Sequence, residues 1–304
     1  MARPFGGEQF VLVAGGARAV VTEVGAGLRE LSSPFGPVVW GYPGTELCSG
    51  SRGQVLMPWP NRIEDGTYRF QGRSCSLPLD EPARQNAIHG LVRWLPWSVT
   101  ESSEAAVSLA CDLAPCPGYP WWLRCDVSYH LDPEGSLEVE MGALNCSDRA
   151  APFGAGFHPY LDPGEGGVDS VASLTLPAGR RLILDGRGIP RSSESVLGGP
   201  YDFSAGRPLI GMRLDDCFTE LPETWTARLQ MSDGSVTELW ADAAWRYAMC
   251  FTADTLAGPD KRRAVAIEPM TCPPNALRSA EGLVCLGPGE RFSARFGIRR
   301  LRGQ

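Results

Sequence analysis

From Leu123 to Leu131 the apolar side chains fall on every second position. Leu123, Cys125, Val127, Tyr129 and Leu131 alternate with Arg124, Asp126, Ser128 and His130. A period of two is the signature of a strand with one face buried and the other wet. The pattern resumes after the turn Asp132-Pro133-Glu134-Gly135, in Leu137, Val139 and Met141, and again near the end in Phe292, Ala294, Phe296 and Ile298. Phe10 to Val13 and Ala17 to Val24 flank Gly15-Gly16 and predict a hairpin. Ala227, Leu229 and Met231 lead through Ser232-Asp233-Gly234 to Val236, Leu239 and Trp240, which predicts another. No long stretch repeats at the helical period; Arg207 to Leu214 and Glu81 to Ala87 hold a turn of helix at most. With 36 glycines and 26 prolines the chain has turn residues for many short strands. The expectation is a single antiparallel all-β domain over residues 1–304, a sandwich or a barrel.

Composition narrows the function. A net charge of −7 repels phosphate backbones and anionic lipid, so neither nucleic acid nor a membrane is an expected partner. No apolar run is long enough to span a bilayer, and the N-terminal MARPFGGEQF lacks a signal core, which points to the cytoplasm. The ten cysteines are scattered, with no C-x-x-C pair, and read as reduced thiols.

Only three histidines are present. His130 sits on the polar face of a regular strand and reads as a surface residue. His89, in Asn86-Ala87-Ile88-His89-Gly90, and His158, in Gly154-Ala155-Gly156-Phe157-His158-Pro159-Tyr160, are framed by residues that shape a backbone to present a ring. Buried, satisfied polar groups are the alternative for both. Glu268 ends the apolar run Ala264-Val265-Ala266-Ile267, where a carboxylate is costly unless paired or functional. An internal salt bridge is its alternative. Arg62 in Pro60-Asn61-Arg62-Ile63, and Asp215 and Asp216 in Leu214-Asp215-Asp216-Cys217-Phe218, complete the candidates. A metal site of His89, His158 and Glu268 lacks the spacing of a compact metal motif.

The segments PNRIEDGTYRFQG, NAIHG with LVRWLPW, FHPYLD, LDDCF and IEPMTCPPNA, in that order over residues 60–276, resemble the aldose 1-epimerase (galactose mutarotase-like) family. The resemblance implies a large antiparallel β-sandwich, the supersandwich, with an open cleft on one sheet. It implies Glu268 as general base and His158 as general acid, and Arg62, His89 and Asp215 as sugar-binding residues, with Asp216 a rival to Asp215. It also implies opening and closing of a hexose ring, such as that of galactose or glucose, without metal or organic cofactor, by a monomer or homodimer. Two positions depart from the family pattern: Leu161 stands where many members have an aromatic after His-Pro-Tyr, and Asp216 where many galactose enzymes have a histidine. Trp94 or Trp59 would offer a ring face to the sugar, although core packing explains either. A hexose-6-phosphate 1-epimerase, with Arg52, Arg62, Arg84 and Arg93 as a basic pocket, and a sugar-binding protein without turnover are the rival readings.

Overall fold

A computed structural model describes residues 3–303 and bears out the alternation almost strand for strand. The predicted strand runs Leu123–Leu131, and all five of its apolar residues are 0% exposed, while His130 faces solvent. Gln9–Ala14 pairs with Ala17–Thr22 across Gly15-Gly16, and Trp225–Met231 with Val236–Ala241, as the two hairpin signals predict. Among the described residues, helix is confined to single turns, at Pro82–Arg84, Gly167–Ser170, Gly258–Asp260 and Ala276–Ser279; Arg207 to Leu214 holds none.

The strands make two eight-stranded antiparallel sheets. The first runs Ser98–Ser102, Ala106–Leu113, Leu123–Leu131, Leu137–Asn145, Arg291–Leu301, Val236–Ala241, Trp225–Met231, Val171–Thr175. The second runs Pro190–Ser195, Arg180–Leu184, Asp215–Thr219, Tyr247–Phe251, Val265–Met270, Gly156–Phe157, Val55–Leu56, with Tyr160–Leu161 also paired to Val265–Met270. A four-stranded sheet precedes them, from Gln9–Ala14 to Gly36–Pro37.

The two large sheets bury their inner faces on each other. Val127, Tyr129, Met141 and Phe296 from the first share one core with Phe157, Phe218, Cys250 and Ile267 from the second. Phe157 and Phe296 meet across the layer, their ring centroids 4.9 Å apart. The outer face of the first sheet is laced by cross-strand ion pairs, Arg291–Asp126 at 2.7 Å and Arg228–Glu238 at 2.7 Å among them. All ten cysteines are free, so this core closes without disulfides. Among the described residues, no helix is long and apolar enough to cross a membrane.

Candidate active site

The strand Val265–Met270 is buried along its whole length, yet its two faces differ. Val265 and Ile267 belong to the core between the sheets. Alternation therefore sends Ala266, Glu268 and Met270 to the outer face of the second sheet. Met249 stands opposite Glu268 in the neighbouring strand, and Phe251, opposite Ala266, stands in turn opposite Asp215. Glu268, Met249, Phe251 and Asp215 line the floor of a cavity of about 470 Å³. Glu268, His158, His89, Arg62 and Asp215, five residues singled out in the sequence, all line it.

His158 is fixed through its backbone. Its amide donates to the Gln54 carbonyl at 3.1 Å, and its carbonyl accepts from the Gly53 amide at 2.8 Å. Its ring lies flat on that of Tyr160, centroids 4.9 Å apart and planes 9° from parallel. The Tyr160 hydroxyl is anchored on the Gly50 carbonyl at 2.9 Å. Nε2 of His158 lies 3.4 Å from Oε1 of Glu268. The other nitrogen and oxygen of this pair, His158 Nδ1 and Glu268 Oε2, are buried without a protein partner.

His89 meets the His158 ring edge-on, at 5.3 Å between centroids. His89 and Asn61 both take left-handed backbone conformations, φ +61° and +53°, which Asn and His tolerate better than most residues. Each supports the other: the His89 amide donates to the Asn61 carbonyl at 2.9 Å, and the Asn61 amide donates to His89 Nδ1 at 3.3 Å. Because Nδ1 accepts, neutral His89 carries its proton on Nε2 and is a hydrogen-bond donor from that atom.

Charge is arranged around this centre. Arg62 grips Glu81 through two parallel bonds, Nε to Oε2 at 2.9 Å and Nη2 to Oε1 at 3.0 Å. Arg84 stands 3.9 Å from Asp215. Burial pushes the Glu268 carboxyl well above the usual range, the charge of Asp215 pushes it further, and Arg62 opposes. Burial pulls the His158 imidazole down to about 3, with Arg62 and Arg93 acting in the same direction. His89 is lowered as well, chiefly by burial. Both members of the Glu268–His158 pair thus favour their uncharged forms.

Asp216 is not in this cavity; it pairs with Arg181 at 2.6 Å. Neither tryptophan lines the cavity. Trp59 is fully buried in the core, and Trp94, 45% exposed, lies in a separate groove with Phe5 and Leu47. The apolar surface offered to a ligand comes instead from Tyr160, Met249, Phe251 and Leu256. Tyr160 lay within the quoted FHPYLD segment, and its place two residues from His158 along extended backbone was the available signal. Glu81 had no such signal, since only the fold brings it to Arg62. Among the described residues, no group of three His, Cys, Asp or Glu side chains is arranged to hold a metal ion.

Known proteins of this shape are numerous. The Escherichia coli (strain K12) uncharacterized protein YihR is 32% identical over 96% of this chain and 93% of its own. A GalM/aldose epimerase homologue from C. elegans superposes with a TM-score of 0.86 at 19% identity, over 98% of this chain and 99% of the other. Galactose 1-epimerase from Lactobacillus acidophilus NCFM superposes with a TM-score of 0.80 at 19% identity, over 95% and 92%. These two structures share the fold. The sequence model for aldose 1-epimerase matches residues 8–299, nearly the whole chain, and with that match the chain belongs to the aldose 1-epimerase family.

Proposed function

We propose that the protein is a cytoplasmic aldose 1-epimerase that interconverts the α and β anomers of a hexose such as galactose or glucose. One observation carries the reading: a buried carboxylate and a buried imidazole lie 3.4 Å apart in a cavity that also holds Arg62, His89 and Asp215. Ring opening needs a proton taken from the C1 hydroxyl and another delivered to the ring oxygen O5. The C1–O5 bond then breaks, its electrons staying on oxygen, and C1 becomes the aldehyde carbon. Rotation about C1–C2 presents the other face, and the same two transfers in reverse close the ring.

In this reading Glu268 takes the C1 proton and His158 protonates O5. The charged form of the pair has the same proton count as the neutral form and differs from it by one transfer between the two groups. A pair holding one proton serves both directions of an equilibrium. Arg62 and Asp215 hold sugar hydroxyls through charge-assisted bonds, and His89 donates from Nε2. The chemistry assigned to these residues uses no metal or organic cofactor.

The test is magnetisation exchange between α and β galactose, and between α and β glucose, followed by NMR with and without the protein. Accelerated exchange that Glu268→Gln abolishes is expected. Sugar binding with no faster exchange would overturn the reading in favour of a sugar-binding protein. A hexose phosphate is the second substrate class to test, because Arg62, Arg84 and Arg93 all line the cavity. Arg62 and Arg93 are, however, already matched by Glu81 and Asp80. A larger rise in melting temperature with hexose phosphate than with free hexose would favour it.

A further inference from the structure

Two adjacent acids, Asp80 and Glu81, precede the loop that leads to His89, and each meets arginine of the cavity wall. Asp80 pairs with Arg93, and Glu81 with Arg62. The second pairing is the more constrained. Both carboxylate oxygens of Glu81 meet the guanidinium, and Oε2 also accepts from Asn86 Nδ2 at 2.9 Å. Asn86 is fully buried, and the same amide group donates to the Arg187 carbonyl at 2.9 Å. On the other side of Arg62 lies Gly188, where an added Cβ would stand 2.8 Å from Nη1. Arg62 is thus confined between Glu81 and a glycine that leaves it room. Both Arg62 and Glu81 line the cavity that holds Glu268.

That placement has an electrostatic consequence. The titratable and charged neighbours felt at Glu268 are His158, Asp215, Arg62, Tyr160, Cys217 and Cys250. Arg62 is the cation that acts on Glu268. Glu81 is faced by Arg62 and, at 3.9 Å, by Arg84. A cation near a carboxylate favours its ionised form, and a bidentate counter-charge on that cation weakens the effect. We propose that Glu81 is a positioning residue of the proton-transfer site: it locks the Arg62 guanidinium in the cavity wall and offsets its charge before Glu268 and His158. This rests on the epimerase reading given above.

Glu81→Gln keeps the shape and removes the charge. The limb of the pH profile of kcat/KM that belongs to the Glu268–His158 pair is expected to move down by about one pH unit. KM is expected to rise about tenfold, as the Arg62 grip loosens. A uniform loss at every pH, with the limb unmoved and KM unchanged, means a merely structural role and overturns the proposal. A second readout is independent of turnover. In protein carrying ¹³C at the glutamate side-chain carboxyls, the Glu268 signal, identified by its loss in Glu268→Gln, is expected to titrate at lower pH in Glu81→Gln than in the wild type. Equal titration overturns the proposal even if the protein turns over no sugar, whereas absent wild-type exchange alone overturns only the epimerase reading. Should Glu81→Gln not fold, Glu81→Asp carries the test. Its shorter arm cannot reach both guanidinium nitrogens, so KM is expected to rise severalfold with the limb in place, and an unchanged KM overturns the proposal.

Discussion

Glu268 and His158 each bear the cost of a site withdrawn from water, and burial shifts them in opposite directions. For Glu268→Gln, the expected loss of anomer exchange is about 10² to 10⁴-fold, the usual contribution of one proton carrier; loss below tenfold would remove Glu268 from the chemistry. His158 gives a prediction about stability. Its folded-state value of about 3 lies below the ordinary 6.5. Between those values the unfolded chain binds a proton that the folded protein refuses, so stability falls as pH drops through this window. At pH 7 the effect is nil, and at its acid end it is on the order of a few kcal/mol. His158→Gln lacks this liability. Melting temperatures measured from pH 7 to pH 4 should therefore fall more steeply in the wild type than in the variant, and parallel curves would show that His158 stays solvated.

At the scale of elements, strands position some groups and strained loops position others. Glu268 is set by the register of one strand against the next. His89 is set by a loop in which His89 and Gly90 both take positive φ, and a Cβ on Gly90 would stand 2.0 Å from the Met57 carbonyl oxygen. Gly90→Ala is expected to cost about 2 kcal/mol or more in guanidinium denaturation. A loss under about 0.5 kcal/mol would show that the loop relaxes freely. The contrast also explains what the sequence allowed one to read. Leu123–Leu131 was legible because alternation is local and one residue type dominates each face. The prominence of His89 was legible from its neighbouring glycine. The bond from Asn61 to His89 Nδ1, which fixes the tautomer, was not, because it joins residues 28 positions apart.

At the scale of the whole molecule, sheet order was the least legible property. Arg291–Leu301 inserts between Leu137–Asn145 and Val236–Ala241, and no local signal announces such a long-range pairing. The difference between sandwich and barrel, open from periodicity alone, was decided by the family resemblance and is borne out by the two facing sheets. All ten cysteines stand free, and a thiol reductant is expected to leave the melting temperature unchanged; a fall would reveal a disulfide. The floor of the cavity and the core of the sandwich are opposite faces of the same strand, Ile267 looking inward and Glu268 outward. That strand carries two instructions in antiphase. Deleting a single residue within it would exchange them, turning a carboxylate into the core and an isoleucine toward the cavity, so the core and the cavity tolerate the same changes of strand length and refuse the same ones.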